Sequence, residues 1–208
     1  MYDMTKMNLI AKTAIDQMPP ASRFNQEDAL TIDKYTEALL SWGPELVQRF
    51  YDTVFEHEAT KKVFRHDERP MREKSLTDFW VKTLTEPIDL DYFGWMAMVG
   101  LIHVVRGVDN PMMLAMSSFL TDFISEKVSQ EPSIAPEEAL KVVNAFRRFS
   151  STISAIITYG YDSARVNALF DIIGMEESLL QRLTKQTVEK HLNQAGYTMT
   201  EKRNFVAR

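Results

Sequence analysis

All-α is the fold class this sequence predicts, on three observations. Apolar residues recur every three or four positions through most of the 208 residues, which is the spacing of one helical face. The two-residue alternation of a half-buried strand is scarce. Only 7 Gly and 8 Pro occur, and many of them mark breaks between apolar runs.

Each element follows from its local pattern. Residues 1–25 read as a loose lead-in that ends in the turn-rich "MPPASRFNQ". A helix is predicted from Gln26 to about Trp42. Gly43-Pro44 breaks the chain and restarts it, because proline suits a first helical turn, and Leu46, Phe50, Val54 and Phe55 then repeat at helical spacing. A short helix covers Glu58 to Phe64, and "RHDERP" interrupts before a helix from Met71 to Thr85. "EPIDLD" is the next break, where Asp89 or Asp91 caps the helix carrying "YFGWMAMVGLIHVVRG". "VDNP" breaks again, and Pro111 opens "MMLAMSSFLTDFISEKV". After "SQEPSIAP" comes the longest pattern, Glu137 to Ile173, with Val142, Phe146, Phe149, Ile153 and Ile156 in one stripe. Gly174 is the stop, Met175 to Ala195 reads as a last amphipathic helix, and the tail is polar. The layout is therefore a lead-in (1–25), a main helical domain (26–174) and a C-terminal helix with its tail (175–208). Helices of such unequal length, with sharp breaks, fit an irregular α fold better than a regular four-helix bundle.

Composition narrows the function. Hydrophobic residues make up 45% of the chain, enough for one domain with a sizeable core. The formal charge of -5 argues against a nucleic-acid partner, since phosphate binding needs clustered Lys and Arg, and the local pair Arg147-Arg148 does not change that. No cysteine is present, which excludes disulfides, thiolate metal sites and cysteine nucleophiles and fits a cytoplasmic location. "MYDMTKMNLIAK" lacks the basic region and apolar run of a signal peptide. "ISAIITYG" falls far short of the ~18 apolar residues of a membrane span.

Familiar catalytic patterns are missing. The residues three before the four histidines are Val54, Val63, Gly100 and Val188, so no Glu-x-x-His pair of a di-iron site exists. "HEATK" starts like a zinc-protease helix but puts Lys61 where the second histidine belongs. Without a Gly-rich phosphate loop or a G-x-S-x-G elbow, the chain is expected not to be an enzyme.

The candidate site centres on one helix. Tyr92, Met96, Val99 and His103 share a helical face. His103 is the metal-ligand candidate: a neutral imidazole among apolar groups ligates iron or hydrogen-bonds a ligand, unless it simply donates to a backbone carbonyl. Phe79, Trp80, Tyr92 and Trp95 stack on a flat cofactor or form core. Met96, Met98, Met112, Met113 and Met116 supply an adaptable interior, and Gly94 and Gly100 permit close backbone approach. His66, beside Asp67 and Glu68, reads as a surface ion-pair residue, and His57 and His191 as solvated helix-end residues. Tyr35 and Tyr51 either point into a pocket or are ordinary half-buried residues. Ser150, Ser151, Ser154, Ala155 and Thr158 make a small-residue face, either a dimer seam or an exposed polar face.

"RFYDTVF" at Arg49–Phe55 and "DLDYFGWMAMVGLIHVVRG" at Asp89–Gly107 together resemble the protoglobin and globin-coupled sensor family, over roughly residues 30–173. The resemblance implies a globin-like, protoglobin-type helical fold with an N-terminal extension and an extra C-terminal helix. It implies a homodimer formed through the last two long helices, and binding of heme and of gases such as oxygen, usually for sensing. It also implies where the iron-binding histidine stands: thirteen residues ahead of Tyr92, which here is Phe79 with Trp80 beside it, and neither ring offers iron a lone pair. Some relatives in bacterial stress-signalling complexes keep the fold without heme. Two readings follow. One is a heme-free globin-like module that signals through a separate partner or binds an apolar small ligand. The alternative is a heme-binding globin that binds or senses oxygen or another diatomic gas, with His103 as the donor.

Overall fold

The structure, a computed structural model, describes residues 4–65, 67–199 and 205–207. In chain order its helices are α1 (Thr5–Asp16), α2 (Gln26–Lys34), α3 (Thr36–Ser41), α4 (Gly43–Glu56), α5 (Glu58–Lys61), α6 (Arg69–Thr85), α7 (Leu90–Arg106), α8 (Asn110–Gln130), α9 (Pro136–Ile173) and α10 (Glu177–Gln194). Two short strands, β1 (Tyr197–Met199) and β2 (Phe205–Ala207), pair antiparallel with Tyr197 opposite Ala207. The residues up to Asp162 form one compact unit and those from Ser163 onward a second. Among the described residues no helix is long and apolar enough to cross a membrane.

The first unit is built on the apolar stripe of α9. Val142, Phe146, Phe149, Ile153 and Ile156 are all buried, as their spacing predicts. Trp80 of α6 lies flat against Phe146 at 5.8 Å, and its indole Nε1 donates to the Leu39 carbonyl at 2.9 Å. One side chain thus ties α6 to both α3 and α9 and satisfies its only polar atom. A second aromatic cluster joins Phe24, Tyr92 and Phe93 to Phe149. Asp28, buried at 1% exposure, closes the capping box of α2 with Asn25 and holds Arg148 of α9. A buried carboxylate needs such a partner.

Helix α7 is the element that shapes the site. The Asp89 side chain accepts from the Tyr92 N–H at 3.0 Å and starts it, the cap expected at Asp89 or Asp91. α1 packs across it at Gly94, where an added Cβ would stand 3.2 Å from the Asn8 backbone nitrogen and run into the Asn8 side chain. α9 crosses it at Gly100, where an added Cβ would stand 3.2 Å from the Ile157 Cα. Both glycines therefore serve close backbone approach.

Three expectations need correction. The stretch 1–25 is not a loose lead-in, because α1 occupies Thr5–Asp16 with Ala11 and Ala14 buried. Met7, Ile10 and Ile15 pack against the core beside them, at helical spacing. The helix expected from Gln26 to Trp42 is two helices, because Tyr35 departs from helical backbone (φ -116°, ψ 17°) and sends its hydroxyl to Glu138 at 3.3 Å. The helix expected from Glu58 to Phe64 ends at Lys61. The tail carries the β1–β2 pair. In the second unit Gly174 stops α9 in the left-handed region (φ 66°), as its position predicts, and α10 buries none of its residues within that unit.

Gly94→Val should destabilise the fold by about 1–3 kcal/mol, since the backbone of α1 must move away. Urea unfolding measures it, and an unchanged midpoint would show that α1 does not bear on α7.

Candidate functional site

A cavity of about 380 Å³ lies inside the first unit, within the range of small-molecule sites. Phe50, Tyr51 and Val54 come from α4, Leu76 and Phe79 from α6, and Trp95, Met96, Val99 and His103 from α7. Met112, Met113 and Met116 of α8 and Ile153 and Ile157 of α9 complete the walls. The helices supply apolar stripes because each buries one face, and the methionines let the walls adapt. The lining hydroxyls are already engaged. Ser75 donates to the Met71 carbonyl at 2.9 Å, and Thr60 to the His57 carbonyl at 2.9 Å. Ser117 accepts from Ser154 at 2.9 Å.

His103 differs from them. Its Nδ1 is buried without a hydrogen-bond partner, so the alternative of a histidine satisfied at that atom by a carbonyl fails. Burial pushes its pKa down to about 4, and the positive charges of Arg106 and Arg72 push the same way. At neutral pH the ring is uncharged, with a proton on one nitrogen and a lone pair on the other. That is the form that binds metals.

Two arginines also belong to the lining, Arg72 of α6 and Arg106 of α7. One carboxylate serves both. Glu68 sits 3.4 Å from Arg72 Nε and accepts a close hydrogen bond from Arg106. Arg106 in turn lies over the Phe64 ring, 5.9 Å from its centroid. Arg106, then Arg72, holds the Glu68 carboxyl below the ordinary carboxylate range, so it is charged at neutral pH.

Of the seven residues the sequence marks for the site, Phe79, Trp95, Met96, Val99 and His103 meet at the cavity. Phe79 and Trp95 stack at 6.2 Å with 28° between their planes. Trp80 and Tyr92 do not belong to the lining, and of the two roles open to them, cofactor contact or core, the structure places them in the core. Trp80 is one residue from Phe79 and so points about 100° away around α6, into the α3–α9 core. Tyr92 shares a face with His103 but lies eleven residues earlier, about 16 Å along the helix. Its hydroxyl meets that of Thr83 at 2.6 Å in the core instead.

Tyr51 lines the cavity but gives its hydroxyl to the Arg72 carbonyl at 2.9 Å, while Tyr35 lies outside the lining, against Glu138. Burial pushes the Tyr51 pKa up to about 12. Of the five methionines, only Met98 is outside the lining. His57 and His191 are exposed, as expected, and His66 lies outside the described residues. On the small-residue face Ser150 and Ser154 pair with Thr121 and Ser117 of α8, and Ser151 is exposed. Sequence reading missed Glu68, Arg72 and Arg106, whose only signal is ordinary surface charge. Among the described residues no three His, Asp or Glu side chains gather to hold a bare metal ion.

The family model described as Protoglobin matches residues 12–167 of this chain. No curated protein matches it.

The His103 ring should stay neutral to about pH 4 in the folded protein, against 6.5 for an unperturbed histidine. Between those values the unfolded chain binds a proton the native state refuses. The stabilising contribution is full above 6.5 and is lost as the pH falls toward 4. NMR titration of the ring reads the shift directly, and His103→Leu should flatten the stability profile in that window.

Proposed function

This chain belongs to the protoglobin family, and from that premise we propose that it is a globin-type sensor or gas-binding module whose cavity takes a heme, with His103 as the nitrogen donor to iron. The observation that carries the reading is the uncharged imidazole of His103 in the lining of a mostly apolar cavity. His103 lines the cavity as a neutral imidazole with a lone pair, and a metal held in a flat apolar ring is a partner for it. The family's usual cofactor thus fits the residues present: hydrocarbon and aromatic walls from α4, α6, α7 and α8, one neutral donor, and cations at Arg72 and Arg106 for acidic substituents.

Heme, when bound, supplies an iron centre for a diatomic gas such as oxygen. The chain's own residues do the rest. The apolar walls exclude water and hold the ring by contact area. Depressed basicity keeps protons from competing for the His103 lone pair above about pH 4. The Tyr51 hydroxyl, committed to the Arg72 carbonyl, fixes α4 against α6 rather than standing free for a ligand. This binding role, not catalysis, is the activity proposed, for a cytoplasmic homodimer that passes its state to a separate partner.

The stacked Phe79–Trp95 pair favours a second reading, because two parallel rings on the cavity wall suit an apolar ligand with no metal at all. Absorption spectra of protein reconstituted with hemin separate the two. The heme reading expects a sharp Soret band with one equivalent bound, and a loss of affinity of at least tenfold in His103→Ala. A spectrum of free hemin only, or a band indifferent to that substitution, refutes His103 as donor.

A further inference from the structure

We propose that Arg72 and Arg106 form a carboxylate-binding site at the cavity, that Glu68 is its resident occupant, and that the natural ligand is an apolar body carrying at least one carboxylate. The inference rests on the cavity being a ligand site but not on iron at His103. Both arginines line the same mostly apolar cavity, and both side chains are mostly buried, with exposures of 20% and 22%. Two cations there face a single acid, whose own side chain is only 14% exposed, so one positive charge is left over beside an apolar space. The Glu68–Arg72 contact is long at 3.4 Å, which leaves that guanidinium under-used.

A guanidinium binds a carboxylate through two parallel N–H donors, and such bonds are among the stronger ones when solvent is excluded. Glu68 comes from the residue just before α6, Arg72 from the first turns of that helix and Arg106 from the last turn of α7. The acid therefore bridges the ends of two helices that wall the cavity. A ligand carboxylate entering between the arginines takes over the charge that Glu68 neutralises. Glu68 is a competitor of the ligand, not part of its binding surface. Porphyrin propionates and fatty acids share this chemistry, an acid on a large apolar body.

The test uses probes without iron, so that its result is independent of the His103–iron reading. Binding of metal-free protoporphyrin IX and of its dimethyl ester is followed by porphyrin fluorescence. Binding of palmitic acid and of methyl palmitate is followed by displacement of a fluorescent fatty acid. In at least one pair the acid should bind about tenfold or more tightly than its ester, the size expected of one charge-assisted bond. Glu68→Gln should tighten the acid severalfold and leave the ester unchanged. The Arg72→Gln, Arg106→Gln double variant should erase the preference. A preference in the porphyrin pair names a porphyrin as ligand, and one in the palmitate pair names a fatty acid. Equal affinity for acid and ester in both pairs, no binding of either acid, or an acid affinity unmoved by Glu68→Gln overturns the proposal. The Glu68 variant removes no apolar contact, so the proposal stays testable whether or not the double variant folds.

Discussion

Everything at the site depends on how α7 is held. Two backbones press on it, α1 at Gly94 and α9 at Gly100, each standing 3.2 Å from where a Cβ would be. At about 100° per residue these two contacts fix the rotation of the helix about its own axis. Gly94 then marks its covered back and Gly100 one flank. The face left over carries Trp95, Met96, Val99, His103 and Arg106, and that face is the cavity wall. Bulk at either glycine would rotate or displace α7 and take the imidazole with it.

The electrostatics follow from this placement. A histidine driven into apolar surroundings beside two arginines cannot easily accept a proton, since burial and like charge both oppose it. Glu68 is the counter-charge that both arginines share. The cavity thus has two chemically distinct regions: an interior with one neutral donor and an edge with an excess of positive charge. An apolar ring system with acidic substituents is complementary to both at once. That pairing is what a fold comparison alone does not supply, because folds host many functions and sites decide among them.

Much of the fold was legible in residues 26–174. The stripe of α9, the Pro44 restart, the Asp89 cap and the Gly174 stop all follow from local rules, and the structure keeps each of them. α1 was missed although Met7, Ile10, Ala11, Ala14 and Ile15 stand at helical spacing, because the turn-rich residues after it mask where the helical part ends. The break at Tyr35 was hidden because neither Gly nor Pro marks it: Tyr35 leaves the helical region between Lys34 and Thr36. The site was half legible. Helical spacing marks Met96, Val99 and His103 correctly, yet it cannot tell Phe79 from Trp80 across a 100° turn or see that Tyr92 lies too far along the axis. Glu68, Arg72 and Arg106 come together only when α6 and α7 are placed side by side.

The matching of the Protoglobin family model to residues 12–167 covers α2 to α8 and most of α9, the helices that build the cavity. The central claim is that the imidazole on α7 is the cavity's donor to iron. Resonance Raman spectroscopy of the ferrous, hemin-reconstituted protein tests it most directly. The account predicts an iron–histidine stretching band that vanishes in His103→Gly and returns when free imidazole is added. A band that survives the substitution without added imidazole would contradict it.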